Sequence, residues 1–261
     1  MGNFISYKKV AIRYTDSGQG KPIVLLHGFL ESISMWKNLT PVLRKKFRVV
    51  AIDLPGHGAS GCLGYIHTMS EMADVVKAVI AELKLDDIIM IGHSMGGYVA
   101  LAYAEKYGMD LIGLCLANST ASADDEYRIL NRDRAIAAVN QNHKTFVRLA
   151  IPGLFRPKNR RLFSKEIQQL KEEALLMTIQ GIVAALAGMK ERPGREHILR
   201  AAPFKTLMIV GKKDPVLSYE LMIDQAKTLD MEFIELEDGH MSYIENMKDF
   251  TYFILQFIEK L

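Results

Sequence analysis

The amino-acid sequence predicts an α/β fold, a doubly wound and mostly parallel sheet into which a helical segment is inserted. Short runs that are apolar at every position indicate strands buried on both faces, as in a parallel sheet covered by helices. Helical patterns separate these runs, and such alternation is typical of a doubly wound sheet. The alternation stops after Ser119 and resumes near residue 203. The sequence therefore predicts a core of residues 1–119 and 203–261 and a helical insertion of residues 120–202.

The composition is typical of one globular domain with an insert. The chain has 261 residues, of which 49% are hydrophobic and 24% are charged, and these proportions exclude a disordered, collagen-like or coiled-coil protein. Two cysteines are too few for a disulfide framework, and the N-terminus lacks the apolar run of a signal peptide. Both observations predict a cytoplasmic protein.

Charge is distributed unevenly along the chain. The net charge of +3 is too small to indicate nucleic-acid binding. Residues 120–202 hold 15 Lys and Arg against 9 Asp and Glu, a local charge of +6, whereas the rest of the chain carries −3. The longest uncharged stretch, Ala174–Met189, has 16 residues and falls short of the ~20 apolar residues of a membrane span. It predicts a buried helix, and no membrane span is expected.

The strands are predicted in chain order from their apolar runs. An antiparallel hairpin at the sheet edge comes first, formed by Phe4–Tyr7 and Val10–Tyr14. Four buried strands follow before the insertion: Ile23–Leu26, Val49–Ile52, Ile88–Ile91 and Leu111–Ala117. Two more follow it: Thr206–Val210 and Glu232–Leu236. The carboxyl ends of such parallel strands are where doubly wound sheets place their sites.

Apolar residues at three- and four-residue steps predict the helices between these strands. The helices are expected over Met72–Leu83, after Ser94, over Tyr219–Leu229 and over Ile244–Leu261. Ser70 or the residue before it is the expected cap of the first of them. The insertion is helical throughout and includes an apolar helix at Leu175–Met189.

The first indication of chemistry is Gly92-His93-Ser94-Met95-Gly96, a G-x-S-x-G motif between a predicted strand and a predicted helix. So tight a turn forces the serine into a strained backbone conformation, and the two glycines leave space where a Cβ would clash. The hydroxyl then projects above the sheet at a helix N-terminus, which favours a nearby oxyanion. Ser94 is therefore the predicted nucleophile, and the alternative is a glycine-rich turn with an incidental serine.

A serine hydroxyl needs a base that removes its proton, and seven histidines compete for that role. His240 is favoured because it follows Glu237-Asp238-Gly239 in a loop between the last strand and the final helix. His93 is expected to be a packing residue and His57 a structural loop residue. Ordinary surface positions are expected for His67, His143 and His197.

Asp214 is the predicted carboxylate that orients the imidazole of His240. It ends the stretch Ile209–Asp214, again at the carboxyl end of a predicted strand. Asp238 is the alternative, but it lies only two residues from the histidine and is expected to form a turn.

Two backbone N–H groups are predicted to stabilise the negative charge that develops on the substrate oxygen. One belongs to Met95, the residue after the nucleophile. The second is most naturally that of Phe29, in the loop after an earlier strand; the alternative interpretation of His27-Gly28 is a plain strand-ending turn. None of these roles needs a metal or a cofactor, and neither is expected.

Together these motifs resemble the α/β-hydrolase superfamily, in particular its small capped esterase-like enzymes. The resemblance covers about residues 20–119 and 203–261 and includes Trp36 and Asp53–Ser60. The chain order of serine, aspartate and histidine is also that of the family. The resemblance implies that residues 120–202 form a helical cap, or lid, over the nucleophile. It says little about the substrate, because fold and function separate within this superfamily.

A serine nucleophile, a histidine base and oxyanion donors predict hydrolysis of carboxylic esters of small to medium acyl groups through an acyl-enzyme on Ser94. Enzymatic alternatives are a thioesterase or acyl-carrier ester hydrolase, an enol-lactonase and a C–C bond hydrolase. An alternative of another class is a slow-turnover ligand receptor with a retained triad. Similar haloalkane dehalogenases and epoxide hydrolases carry an aspartate nucleophile, so Ser94 excludes them. Related C–C bond hydrolases often show Asn where this chain has His93.

The expected partner is a small-molecule ester substrate. Two features of the implied cap indicate how it could be recognised. The apolar helix Leu175–Met189 is long enough to bury one face on the core and to offer another to an acyl group, although burial alone also explains it. The basic cluster Arg156–Arg161 is either a solvated face or a surface for an acidic acyl carrier, as in similar cap-bearing pimeloyl-carrier esterases.

Overall fold

The computed structural model describes residues 2–261, and within that range one sheet contains eight strands. The strands are β1 (Asn3–Tyr7), β2 (Val10–Ser17), β3 (Pro22–Leu26), β4 (Arg48–Ile52), β5 (Ile88–His93), β6 (Leu111–Ala117), β7 (Lys205–Gly211) and β8 (Glu232–Leu236). They lie in the order β1-β2-β4-β3-β5-β6-β7-β8. Strand β2 is antiparallel to both β1 and β4, and the other neighbours are parallel. The predicted doubly wound, mostly parallel sheet is confirmed.

Helices connect the strands and cover the sheet. They are α1 (Thr40–Leu43), α2 (Met69–Glu82), α3 (Met95–Tyr107), α4 (Glu126–Gly153), α5 (Ser164–Ala174), α6 (Ile179–Lys190), α7 (Glu196–Arg200), α8 (Tyr219–Thr228), α9 (Ser242–Glu245) and α10 (Met247–Glu259). In the chain, helices α4 to α7 all follow β6 and precede β7, and α4 is kinked at Asn142. Short 3-10 turns are formed by Ile33–Lys37, Gly108–Asp110 and Pro157–Asn159.

The centre of the sheet is the most deeply buried part of the molecule. Every residue of β5 is buried, and β3 and β4 are buried from their second residue onward. The register places Ile23 beside both Val49 and Ile89, and α3 packs against β5. Burial of each such aliphatic side chain contributes about 1.5–3 kcal/mol. This core fixes the carboxyl ends of the central strands relative to one another.

Helix α2 begins earlier than the sequence predicts. Its first residue is Met69, and the side chain of Thr68 caps it by accepting the N–H of Glu71 at 3.0 Å. The predicted cap at Ser70 or the residue before it is therefore wrong. The hydroxyl of threonine, like that of serine, can accept an unpaired helical N–H, and two candidate hydroxyls stand close together in the sequence.

The predicted apolar helix Leu175–Met189 starts later than expected. Helix α5 ends at Ala174, and α6 begins at Ile179 because the Thr178 hydroxyl accepts the N–H of Gly181 at 3.0 Å. The two helices are bent by 103° from each other. No single helix within residues 2–261 is long and apolar enough to span a membrane, and only this bent pair passes when taken together.

The final helical region is divided, although the sequence predicts one helix with an apolar face from Ile244 onward. Asn246 has non-helical angles, φ −127° and ψ 37°, and separates α9 from α10. Its side chain accepts the N–H of Asp238 through Oδ1 and donates to the Asp238 carboxylate through Nδ2, each at 3.1 Å. These bonds to the preceding loop replace the continuous helix.

Candidate active site

The predicted nucleophile, Ser94, lies in a strained turn between β5 and α3. Its backbone angles are φ 49° and ψ −115°, a conformation that residues with a Cβ rarely adopt. A Cβ on Gly92 would clash with the backbone of Gly96, and a Cβ on Gly96 would clash with the carbonyl of Leu26. Glycine at both positions therefore lets the strand, the turn and the helix approach closely enough to expose the hydroxyl.

The structure brings Ser94, His240 and Asp214 into one hydrogen-bonded chain. Nε2 of His240 lies 2.9 Å from Oγ of Ser94, and Nδ1 lies 2.8 Å from Oδ2 of Asp214. Because a carboxylate only accepts, Nδ1 carries a proton, and Nε2 of the neutral ring is left to accept the serine proton. The side chains of His240 and Asp214 are only 3% and 2% exposed, so little water competes for these bonds.

Asp214 is held as an ionised carboxylate. Its Oδ1 accepts the backbone N–H groups of Val216 and Leu217 at 2.7 and 3.0 Å. Burial alone would raise the pKa of Asp214, but the charge and hydrogen bond of His240, together with the two N–H groups, lower that pKa below its ordinary value. A negative charge is therefore in place beside the imidazole across the neutral range.

Asp238, the alternative carboxylate, contacts other groups. Its Oδ1 accepts from Nη1 of Arg156 at 2.8 Å, and its Oδ2 accepts from Nδ2 of Asn246 at 3.1 Å. Asp238 therefore shapes the loop before His240, whereas the bond to the imidazole is made by Asp214.

The loop after β3 is tied to the end of β4 by a buried histidine. Nε2 of His27 accepts the N–H of Leu54 at 2.9 Å, and Nδ1 donates to the carbonyl oxygen of Gly28 at 2.8 Å. This pattern needs the neutral ring, and burial lowers the pKa of His27 accordingly. Phe29 follows in this loop, and Met95 is the first residue of α3. The roles of these two backbone N–H groups as oxyanion donors stay predictions.

A family model described as the alpha/beta hydrolase fold matches residues 21–247. The chain belongs to the α/β-hydrolase family. Among solved structures, a thermophilic esterase from Thermogutta terrifontis is 31% identical and superposes with a TM-score of 0.93, covering 100% of this chain and 98% of the esterase.

Two relatives of this α/β hydrolase match along nearly the whole chain. The AB hydrolase superfamily protein YisY of Bacillus subtilis is 26% identical over 98% of this chain and 99% of its own length. The 2-hydroxy-6-oxo-6-(2'-aminophenyl)hexa-2,4-dienoic acid hydrolase of Metapseudomonas resinovorans is 25% identical over 98% of this chain and 90% of its own length. With the esterase, these similarities support hydrolase activity.

Asn118 is a site residue of this α/β hydrolase that sequence reasoning missed. It directly follows β6, is buried, and adopts a left-handed conformation with φ 45°. Its Nδ2 donates to Oδ2 of Asp214 at 3.1 Å and lies 3.3 Å from the carbonyl oxygen of Gly239. It therefore connects the carboxylate to the residue before His240. The only sequence signal was its place at the carboxyl end of a strand.

The histidines outside the hydrogen-bonded chain differ in their surroundings. His67 is fully buried, and its Nε2 accepts the N–H of Leu63 at 3.1 Å, so the prediction of a surface position is wrong. His57 is also fully buried, with Nδ1 3.1 Å from the Pro55 carbonyl oxygen. The ring of His197 is exposed, and His143 is half-buried.

Only part of the basic cluster Arg156–Arg161 is free to meet a partner. Arg156 pairs with Asp238, and its backbone N–H donates to Oε1 of Glu245 at 3.0 Å. Asn159 donates to the same oxygen at 2.9 Å. The segment between α4 and α5 is thus fastened beside the loop that carries His240, whereas Arg160 and Arg161 are exposed.

Proposed function

We propose that this α/β hydrolase cleaves carboxylic esters of small to medium acyl groups through an acyl-enzyme on Ser94. The observation that carries the proposal is the continuous pair of hydrogen bonds, 2.9 and 2.8 Å, from Ser94 through His240 to Asp214. A serine on a strained turn, a buried imidazole and an ionised carboxylate in this order are the groups that acyl transfer requires.

In the proposed mechanism, Ser94 Oγ attacks the ester carbonyl carbon while Nε2 of His240 takes its proton. The tetrahedral intermediate collapses when the imidazolium returns that proton to the leaving alkoxide, which departs as the alcohol. Water then attacks the acyl carbon, again losing its proton to His240, and the acid leaves as Ser94 recovers its hydroxyl. Asp214 stabilises the imidazolium in both halves.

The N–H groups of Phe29 and Met95 are the proposed donors to the oxyanion. Met95 opens α3, so its N–H lies at the positive end of the helix dipole. Phe29 belongs to the loop that His27 fastens to Leu54. Donors held by the main chain before the reaction stabilise the developing charge without further rearrangement.

We further propose that residues 120–202 act as a helical cap over Ser94 and contribute an apolar acyl pocket. The bonds from Arg156 and Asn159 to Glu245 support this, since they fasten the segment beside the loop of His240. Helix α6 supplies apolar side chains of moderate size, mostly buried. Small-molecule sites are generally lined in this way.

The test is a panel of p-nitrophenyl esters of increasing acyl length. Ser94→Ala removes the only atom that attacks, so we expect loss of at least about 1000-fold in kcat with an unchanged melting temperature. Ser6→Ala, an exposed serine on β1, is the matched control. Undiminished turnover by Ser94→Ala contradicts the proposal.

The same panel distinguishes the related reactions. It includes a thioester, an enol-lactone and a C–C bond substrate, the last because one relative is named for a dienoic acid hydrolase. A fluorophosphonate labels Ser94 in an enzyme and in a receptor alike, so turnover rate separates these two classes. A receptor would raise its melting temperature with ligand while turning over slowly. A cytoplasmic location is also part of the proposal, and the small number of cysteines supports it.

A further inference from the structure

Next to Ser94 lies a buried ion pair that the proposed mechanism does not use. Nδ1 of His93 is 2.9 Å from Oε2 of Glu31, and both side chains are only 1% exposed. Buried charges are costly unless they are paired and hydrogen-bonded, so a pair at this position requires an explanation.

The pair contacts three parts of the proposed machinery. Oε2 of Glu31 accepts the N–H of Gly28, directly before Phe29, at 2.6 Å. Nε2 of His93 lies 3.0 Å from the backbone carbonyl oxygen of His240. His93 itself is the residue before Ser94. One hydrogen-bonded unit therefore joins the loop of Phe29, the turn of Ser94 and the loop of His240.

The geometry also assigns the protonation of His93. Its two ring nitrogens face a carboxylate and a carbonyl oxygen, both of which only accept, so both nitrogens must donate. Burial alone would lower the pKa of His93, but the charge and hydrogen bond of Glu31 and the carbonyl of His240 raise it above its ordinary value. Burial alone would raise the pKa of Glu31, but the charge and hydrogen bond of His93 lower that pKa below its ordinary value. The other titratable groups facing the pair are Tyr243, the His240 ring, Asp214 and His27.

We propose that the Glu31–His93 ion pair is a positioning pair. It fixes where the Phe29 N–H and the His240 imidazole lie relative to the Ser94 hydroxyl. This inference rests on the proposed function. The His93 and His240 rings are neighbours, with centroids 5.2 Å apart, but neither His93 nor Glu31 hydrogen-bonds to the side chains of Ser94, His240 and Asp214. The pair acts through the Gly28 N–H and the His240 carbonyl oxygen.

Glu31→Gln tests the need for charge with almost no change in volume. If the amide oxygen stays near Gly28, it accepts that N–H, and His93 loses the carboxylate that stabilises its second proton. A neutral His93 that donates from Nδ1 then turns a lone pair toward the His240 carbonyl oxygen. If the amide nitrogen takes that place instead, it opposes the Gly28 N–H. Either arrangement therefore loses one of two hydrogen bonds, the one from the Gly28 N–H or the one to the His240 carbonyl oxygen.

We therefore expect Glu31→Gln to lower kcat about 10- to 100-fold while KM changes less than about twofold. The reason is that the pair contacts the loops of Phe29 and His240 and not the substrate. Active sites are counted by complete labelling with a fluorophosphonate, so unfolded protein does not lower the measured kcat. The control is Asp110→Asn, which breaks another ion pair, with Lys77 at 2.6 Å, in the core and at the amino end of β6, opposite to the site. It should lose stability and keep kcat per active site.

A spectroscopic measurement on the unmutated protein completes the test. Nitrogen-15 NMR of the histidine rings should show both nitrogens of His93 protonated at about pH 7, and one in Glu31→Gln. A neutral His93 in the unmutated protein overturns the inference, as does an unchanged kcat per active site in Glu31→Gln. If no substrate is turned over, the proposed function fails instead, and the rate constant for labelling of Ser94 then replaces kcat in the comparison.

Discussion

At the scale of single residues, the site depends on how completely the Asp214 carboxylate is bonded. Oδ1 accepts two backbone N–H groups, and Oδ2 accepts from His240 and from Asn118. The four bonds fix the direction in which Oδ2 faces the imidazole. Asn118 differs from the other donors because it also reaches the Gly239 carbonyl, so it controls the separation of carboxylate and base.

Asn118→Gly should lower kcat by about 10-fold, because a hydrogen bond to a charged group contributes about 1.5–3 kcal/mol. Glycine adopts the left-handed conformation of Asn118 without strain, so backbone effects on stability should be small. Asp230→Gly is the matched control, since Asp230 has a φ of 51° in an exposed turn. Steady-state kinetics on a p-nitrophenyl ester make the comparison, and equal activity of the two variants contradicts the role of Asn118.

The Glu31–His93 pair predicts a pH window in stability. Glu31 has a lowered pKa, so its contribution is full above its ordinary value of 4.5 and is lost as the pH falls through the folded-state pKa. His93 has a raised pKa, so its contribution is full below 6.5 and is lost as the pH rises through the folded-state pKa. Glu31→Gln should therefore cost most, about 2 kcal/mol, between these two values.

Urea unfolding at about pH 5.5 and about pH 9 measures this window. The difference in unfolding free energy between the unmutated protein and Glu31→Gln should be larger at the lower of the two pH values. A difference that grows toward alkaline pH has the opposite sign and excludes a protonated His93 as the source.

The sequence carries the local signals of this site but not its long-range bonds. Ser94, Asp214 and His240 are each marked by a strand end, and the structure brings all three together. Asn118 also follows a strand end, but no local pattern identifies its partner, which lies 96 positions away in the chain. The same holds for Glu31 and its partner His93, which are 62 positions apart. Only the folded sheet decides which of the polar residues at its edge face one another.

At the scale of elements, the turn between β5 and α3 leaves no space for a side chain at Gly92. Gly92→Ala should destabilise the fold by at least about 2 kcal/mol, because the added Cβ meets the backbone of Gly96, which cannot move aside. Gly108→Ala is the control. Gly108 is in the right-handed helical region, and its Cβ would make an ordinary contact with Phe204 at 3.6 Å, so we expect a gain of about 0.4–1 kcal/mol. Denaturant unfolding compares both variants, and equal stabilities contradict the argument.

Most strand ends were predictable to within one residue, although β2 and β5 extend three and two residues beyond their predicted ends, whereas several helix boundaries were not predictable. A strand buried on both faces is apolar at every position, so its limits are visible in the sequence. Helix limits depend on which side chain makes the capping bond, as Thr68, Thr178 and Asn246 show. Asn246 bonds to a loop that is itself positioned by tertiary contacts, and no local pattern contains that information.

At the scale of the whole molecule, ion pairs with the core offset part of the positive charge of residues 120–202. The local charge of residues 120–202 is +6 and that of the rest is −3, but Arg156 is paired with Asp238, and Arg195 with Glu105. The basic character that remains near the loop of His240 is that of exposed residues such as Arg160 and Arg161. A test of an acidic carrier must therefore leave Arg156 intact.

If the proposed hydrolase accepts acyl groups from an acidic carrier, reversing charge with Arg160→Glu and Arg161→Glu should slow carrier-linked substrates by about 10-fold or more. Hydrolysis of p-nitrophenyl esters should be unchanged, since neither residue pairs with the loop of His240. The charge-matched control on the core is Arg44→Glu with Lys45→Glu, both exposed. Added salt should weaken the unmutated protein's preference for carrier-linked substrates, because screening acts on exposed charges. An equal loss on both kinds of substrate, or an equal effect of the control, shows that the cluster is a solvated face.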